Sequence, residues 1–399
     1  MNATCRACAG TKLEPLLDLG PMPLAGGFLD GPAEVDAEQL FPLPVHVCRD
    51  CALVQIVQPI DPAILFHDYS FSASTIPGLV AHFDDYASWL QQRFRPQVAV
   101  EFGCNDGVLL RPLSRRGVVA VGVDLSDNIG EMARSEGHDV VTAAFTPEIA
   151  GRIRERVGPA DVVTGSNAFA HNADPATILA AADGALGEDG RLCLEVMYAA
   201  DLFEQLQWDT LYHEHLTFYG LIQLETLLRR NGFSVEHAER IPMHGGSLRV
   251  VAARTDRAAR DASVDELETF ERELGITDAD VWHDFARRSR RTIEIVQTVL
   301  GDLRERHRIW GYGAAGKATM WVNACGLDFL EGMVDASPLR AGKLMPGTHT
   351  PIYLPDEFRR GEPPSLVLVT AWNYLDAIRR NESWYEGIWV TPLPSLSFA

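Results

Sequence analysis

Positive charge and long apolar runs are both scarce in this sequence. Lys and Arg number 35 against 55 Asp and Glu, a formal net charge of −20. A chain of that sign repels phosphate backbones, which argues against a general DNA or RNA binder. An anionic ligand would need a local cluster of donors that overrides the field. No apolar stretch reaches the roughly 20 residues of a membrane-spanning helix. The opening "MNATCRACAG" lacks the charged and apolar regions of a signal peptide. The expected location is the cytoplasm, with no membrane partner. No low-complexity segment interrupts the chain, and the number of copies in the working molecule is left open.

What is present is an ordinary globular composition, 46% hydrophobic and 23% charged over 399 residues, enough for two or three domains. Seven cysteines divide into two C-x-x-C pairs, Cys5/Cys8 and Cys48/Cys51, and three isolated residues in apolar sequence, Cys104, Cys193 and Cys325. In a reducing compartment, paired C-x-x-C motifs read as metal ligands before disulfides. Four thiolates close a tetrahedron around zinc with no position left for water, so the expected site is structural. Four free thiols are the bland alternative. A redox role is disfavoured, because neither pair opens a helix in a thioredoxin-like alternation.

Composition and periodicity divide the chain. Residues 1–60 are rich in Pro, Gly and Cys and read as a small loop-rich zinc module. Residues 61–260 begin with an aromatic loop and a helix, then alternate short apolar strands ("QVAVEFG", "VVAVGVD", "HDVVTAAF", "ADVVTGSN", "RLCLEVM") with helices, among them "PATILAAADGALGEDG". That pattern predicts a parallel sheet with helices on both faces, closed by two late strands across "HGGSLRV". Residues 261–306 carry a charged helical period and read as a connector. Residues 307–399 resume alternation as a second, smaller α/β domain.

"VAVEFGCNDGVLL" puts Gly103 and Gly107 in a strand-to-helix turn, and strand two ends about twenty residues later at Asp124. A carboxylate there accepts from ribose hydroxyls. The spacing is E-x-G-x-x-x-G, not G-x-G-x-x-G. That favours S-adenosylmethionine over a dinucleotide, since a sulfonium cofactor has no pyrophosphate to cradle and Glu101 suits its cationic, zwitterionic end. Asn105 in this turn and Asn167 after strand four complete the candidate cofactor residues. A plain structural turn is the competing account.

"LYHEHLTFYG" gathers Tyr212, His213, Glu214, His215 and Tyr219 beyond a strand end, and "NAFAH" adds His171. A neutral histidine removes a proton near pH 7, and a neighbouring carboxylate can orient it. H-E-H is not H-E-x-x-H, which disfavours a catalytic zinc.

A second loop, "GYGAAGKATM", is a true G-x-G-x-x-G (Gly311, Gly313, Gly316), with Asp335 ending the next strand. Read alone it is the better dinucleotide fingerprint, and it keeps an NAD(P)-dependent oxidoreductase acting on a nucleotide sugar as the rival function. Lys317, one position into the helix, and Lys343 suit phosphate binding instead; a structural turn is equally open. His244, in "MHGGSLRV", stands as a candidate one layer behind the site, beside glycines that either admit a close approach or form a bulge. A non-catalytic sugar-nucleotide sensor is the third class, disfavoured by the intact Tyr212, Glu214 and His215.

Taken in order, the two C-x-x-C pairs, "LDLGPMPLAGGFL", "EFGCNDGVLL", "NAFAH", "YHEH", "HGGSLRV" and "GYGAAGKA…VDASPLRAGKLMPGTHTPI" resemble the three-domain sugar C-methyltransferases that build branched-chain deoxysugars, as in antibiotic biosynthesis. The likeness spans essentially the whole chain. It implies an N-terminal zinc domain, a central Rossmann-like class I methyltransferase domain and a C-terminal Rossmann-like domain that helps hold a nucleotide-linked sugar. The substrate it implies is a dTDP-linked 4-keto deoxysugar methylated at C-3. By matching motifs, His215 would be the general base, with Tyr212 and Glu214 beside it, and His171 near the sugar or its keto oxygen. The segment "DYSFSAS" commonly carries two tyrosines in that family; here the second aromatic is Phe71, which leaves Tyr69 as the only phenol. The resemblance assigns the second glycine loop to the sugar nucleotide or to a vestigial fold.

Overall fold

The computed structural model describes residues 3–66 and 69–399. The cysteine-rich start forms a small antiparallel sheet of β1 (Leu13–Leu17), β2 (Val45–Cys48) and β3 (Val54–Ile56). A segment this short cannot enclose a core of its own. Its buried Leu16, Leu43, Val45, Val47 and Leu53 belong to the same apolar cluster as the next unit.

The central sheet starts with β4 (Val98–Phe102), β5 (Val119–Asp124), β6 (Asp139–Thr142), β7 (Ala160–Ser166) and β8 (Leu186–Met197), all parallel to their neighbours. After β9 (Thr217–Phe218) it is completed by the hairpin β10 (Phe233–Ile241) and β11 (Ser247–Arg254), giving the order β10-β11-β8-β7-β4-β5-β6. Helices cover both faces, so the strands carry apolar residues on both sides. The helix Pro77–Phe94 opens with Pro at its first turn, lays Leu79, Phe83, Tyr86 and Leu90 along one stripe, and stops where Arg95 turns left-handed. In β4 the apolar run is broken by one acid, Glu101, which is 2% exposed.

The segment 261–306 is two helices, Ala262–Leu274 and Ala279–Leu303, separated at Gly275 in the left-handed conformation. They do more than connect: the first packs on β10, and the second lies against β1 and β2. The last unit holds β12 (Ile309–Tyr312), β13 (Met333–Val334), β14 (Ile352–Tyr353), β15 (Leu366–Val369), β16 (Ile388–Thr391) and β17 (Ser397–Phe398), in the order β14-β13-β12-β15-β16-β17. Only β17 is antiparallel.

Both parallel sheets therefore reverse direction beside their first strand, between β4 and β7 and between β12 and β15. Such switch points leave a crevice at the carboxyl ends of the strands. One local expectation is corrected. The helix at Pro175 ends at Ala185, because Leu186 already pairs with Ala160 as the start of β8. A pairing with no counterpart in the sequence pattern is that of β9, which leaves the central unit and pairs with β3, so the cysteine-rich sheet ends in a strand from residues 217–218. No helix among the described residues is long and apolar enough to cross a membrane.

Candidate active site

The two crevices open into one cavity of about 460 Å³, lined also by Ala25, Gly26 and Phe28 from the first unit and by the loop through Tyr69 and Phe71. The lining brings together Glu101, Gly103, Asn105, Asp124 and Asn167, the acid–base candidates Tyr69, His171, Tyr212, Glu214, His215 and His244, and Gly313 and Lys317. Three of the candidates for holding S-adenosylmethionine or a sugar phosphate fall outside it. Gly107 packs instead against His138, which a Cβ would meet at 2.7 Å. Gly311 lies inside β12, where a Cβ would strike Met333. Lys343 pairs with Asp30 at 2.5 Å.

On the central side, the buried acceptors fit a cationic cofactor. Glu101 Oε2 and Asn167 Oδ1 are buried with no partner among the described residues. Burial, with Asp124 nearby, pushes the Glu101 carboxyl well above the usual carboxylate range, and no cation among the described residues opposes that shift. Gly103 has φ +66°, and a Cβ there would overlap Ala168 at 2.3 Å, so this turn needs glycine. Asp124 takes one backbone N–H on each oxygen, from Asn105 at 2.8 Å and Ser126 at 2.9 Å. A carboxylate has about four acceptor positions, so both oxygens keep capacity for ribose hydroxyls. The Asn105 side chain is already committed: Oδ1 accepts from Ala73 N (2.9 Å) and Nδ2 donates to Phe71 O (3.0 Å). Asp106, absent from the sequence candidates, accepts from Ser74 N (2.9 Å) and Ser74 Oγ (2.7 Å). The two residues together clip the aromatic loop onto the glycine turn.

The acid–base cluster is largely withdrawn from solvent, with His215 and Glu214 buried and His171, Tyr212 and His244 half-buried. His215 is 8% exposed, and its Nδ1 lies 2.7 Å from the carbonyl oxygen of Thr210. A carbonyl only accepts, so Nδ1 carries the hydrogen and Nε2 keeps its lone pair. Burial pulls this imidazole well below its ordinary value; His171, Lys317 and His244 add to the pull, and the Thr210 bond opposes it. His171 sits 5.1 Å away between ring centroids, held down to about 4 by burial and stacked on Phe66. The Tyr212 ring lies 4.0 Å from the His215 ring. Tyr69 Oη donates to Glu214 Oε2 at 3.2 Å. Burial nevertheless pushes Glu214 up to about 7, with Tyr69 and Arg340 pulling the other way. His244, with φ +55°, is held down to about 4 by burial and by Lys317.

The C-terminal face supplies the cations. Lys317 is one of only three lysines in the chain. Its Nζ is shielded from solvent with no hydrogen-bond partner among the described residues, 4.8 Å over the Trp372 ring. Burial lowers its value while Asp209 raises it. Asp209 is fully buried and accepts the indole N–H of both Trp321 and Trp372 at 2.9 Å. The second cation is Arg340, which lines the cavity three residues before Lys343 and was not singled out from sequence. Its Nη1 reaches both oxygens of Asp335 at 3.3 and 3.2 Å. Asp335, the acid that a dinucleotide would use for its ribose, thus holds Arg340 and Ser337 N instead. Gly316 is where the loop meets the rest of the molecule; a Cβ there would lie 3.1 Å from the Tyr212 ring.

The four cysteines Cys5, Cys8, Cys48 and Cys51 bring their Sγ atoms within 4.8 Å of one another, with Cys5–Cys51 at 3.5 Å and Cys8–Cys48 at 3.7 Å. Zinc–sulfur bonds of about 2.3 Å in a tetrahedron place the sulfurs about 3.8 Å apart. The cage fits zinc, away from the cavity, as a structural site.

Comparison with known proteins accounts for the chain in three consecutive pieces. Residues 5–66 match a model described as "Putative zinc binding domain", residues 79–238 a "Methyltransferase domain", and residues 242–394 a "C-methyltransferase C-terminal domain". The chain is 33% identical to the C-methyltransferase NovU of Streptomyces niveus over 401 residues, covering 98% of this chain and 95% of that one. Among solved structures, magnesium protoporphyrin IX methyltransferase from Synechocystis PCC 6803 with bound SAM aligns at 16% identity and a TM-score of 0.35, over 45% of this chain and 80% of that one. The CcbJ methyltransferase from Streptomyces caelestis aligns at 12% and 0.35, over 44% and 89%.

Proposed function

Since the chain belongs to the three-domain S-adenosylmethionine-dependent C-methyltransferases, we propose that it methylates C-3 of a nucleotide-linked 4-keto deoxysugar, a dTDP-sugar, with His215 as the general base. The observation that carries the proposal is the 2.7 Å contact between His215 Nδ1 and Thr210 O, which leaves Nε2 as the free base on a cavity residue.

A carbon next to a ketone is acidic because the enolate places its charge on oxygen. His215 Nε2 takes that proton. His171, or the Tyr212 hydroxyl, stands beside it to donate to the enolate oxygen, the position where fixed donors in a dry site are worth most. Tyr69 and Glu214 hold the sugar's remaining hydroxyls. Glu101 would hold the methionyl ammonium of S-adenosylmethionine and Asp124 its ribose; once bound, the cofactor supplies an electrophilic methyl group. On the opposite wall, Lys317 and Arg340 meet the sugar's diphosphate, a local pair of cationic donors in a chain whose net charge is −20. Arrival of that dianion beside His215 would also raise the depressed imidazole toward the neutral range, so the base strengthens when substrate is in place.

The test is transfer of a labelled methyl group from S-adenosylmethionine to candidate dTDP-4-keto deoxysugars, with the label located on the product. Label at C-3 supports the proposal, and label on a sugar oxygen would overturn it. Binding without turnover would return the chain to the sensor class.

A further inference from the structure

Among the contacts between the zinc unit and the acid–base cluster, one side chain comes from the metal knuckle itself. Arg6 occupies the turn of the first knuckle, between Cys5 and Cys8. Its Nη1 donates to Ile56 O at 2.7 Å and Leu216 O at 3.2 Å, and its Nε donates to Ala173 O at 3.2 Å. Leu216 directly follows His215, and Ala173 lies two residues beyond His171. The same two loops are stitched to each other by Leu216 N to Ala170 O at 3.0 Å, and to the knuckle sheet by Ile56 N to Leu216 O at 3.0 Å. From there β9 continues that sheet, with Gln55 opposite Thr217 and Val54 opposite Phe218. Three of the Arg6 acceptors are backbone carbonyls and the fourth is the neutral side-chain oxygen of Gln55, at 3.4 Å from Nη1, so the guanidinium fixes main-chain position without neutralising an acid.

We propose that Arg6 is a positioning residue for the reaction: through the carbonyls behind His215 and His171, it transmits the geometry of the four-cysteine metal knuckle to the two catalytic imidazoles. The metal cage then sets the aim of the base as well as stapling a small unit. The planar fork of arginine suits this, because one rigid group spans carbonyls on three segments. The inference rests on His215 being the base, so its test includes a signal from the His215 ring that does not depend on turnover.

The experiment uses the full zinc-loaded chain, as Arg6→Ala and Arg6→Lys. Zinc per chain, S-adenosylmethionine affinity, kcat and KM are measured, together with the 15N spectrum of histidine-labelled protein. The His215 signal is assigned by its loss in His215→Gln. Arg6→Ala should keep its zinc and its cofactor affinity, lose about 10- to 100-fold in kcat with little change in KM, and show a displaced or tautomer-averaged His215 signal. Arg6→Lys should recover part of kcat, since an ammonium can still donate to some of these carbonyls. An unmoved His215 signal with kcat within about threefold of the parent would overturn the proposal, that loss being smaller than the weakest expected from a supporting residue. Parallel loss of zinc, cofactor binding and kcat in Arg6→Lys would also overturn it, by making Arg6 a folding residue only. If Arg6→Ala does not fold, the kcat and ring signal of Arg6→Lys decide alone. A displaced ring signal in an enzyme whose His215→Gln variant stays active would uphold the positioning and remove the base assignment.

Discussion

The carbonyl of Thr210 fixes the tautomer of His215: its oxygen lies 2.7 Å from Nδ1, inside the turn that follows Trp208–Thr210. One backbone atom five residues away thus decides which imidazole nitrogen is basic. The contact also counters part of the burial that weakens the base. In the proposed mechanism, the base therefore depends on main-chain geometry as much as on side-chain identity.

Glu101 should govern cofactor binding. Its carboxyl is buried and shifted upward, so it must ionise to meet a methionyl ammonium. Cofactor affinity, measured by calorimetry, should rise with pH until Glu101 is ionised in the free protein. Glu101→Gln should bind about 10- to 100-fold more weakly, the range for a charge-assisted hydrogen bond, and without that pH dependence. Equal affinity in the variant would contradict the assignment.

Glu214 should leave a mark on stability. Its folded value of about 7 stands above the ordinary 4.5. Between those values the folded chain holds a proton that the unfolded chain has lost, so stability falls as pH rises through this window and levels off above it. The loss is on the order of 3 kcal/mol across the window. Glu214→Gln should flatten thermal midpoints between pH 5 and 7 and exceed the parent's midpoint at pH 8, a window set by that linkage. A parent curve that rises over the same interval would contradict the shift.

The long-range parts of this site were the least legible in sequence. The cysteine pairs, the alternating strands and the "YHEH" cluster announce themselves because each is local in spacing or period; the strand ends and the cluster supply residues to one cavity, and the cysteines form a cage apart from it. Asn105 sits in the cavity wall, yet its side chain is spent on residues 71 and 73, which no local pattern reveals. Lys343 and Arg340 are three residues apart, and only the packing of Phe28 and Asp335 around Arg340 decides which one faces the cavity. The pairing of β9 with β3 joins residues more than 160 apart and carries no periodic signal in a two-residue strand. Arg6 was invisible for the same reason.

Lys317 should act on the sugar nucleotide and not on the cofactor. Lys317→Met keeps the stem over Trp372 and removes the charge. It should raise KM for the nucleotide sugar about 10-fold or more while cofactor affinity stays within about twofold, as expected for loss of one charged contact. A change in cofactor affinity with unchanged KM would place the lysine on the wrong ligand.

Removing zinc should loosen more than the first sixty residues. Structural zinc contributes roughly 10 kcal/mol or more of binding free energy to small domains. Because β9 completes the knuckle sheet, Cys48→Ser or chelation should abolish hydrogen-exchange protection at Thr217 and Phe218 together with β2 and β3, while β4 and β7 stay protected. Unchanged protection at residues 217–218 would contradict the coupling.

The central claim is that His215 removes a proton from carbon. It is tested most directly by incubating the enzyme with the dTDP-4-keto sugar in D2O, S-adenosylhomocysteine replacing the methyl donor, and following deuterium at C-3. The account predicts exchange at C-3 in the parent and a loss of about 100-fold or more in His215→Ala, the span of general-base catalysis, with S-adenosylhomocysteine still bound. Exchange at the parental rate in that variant would contradict it.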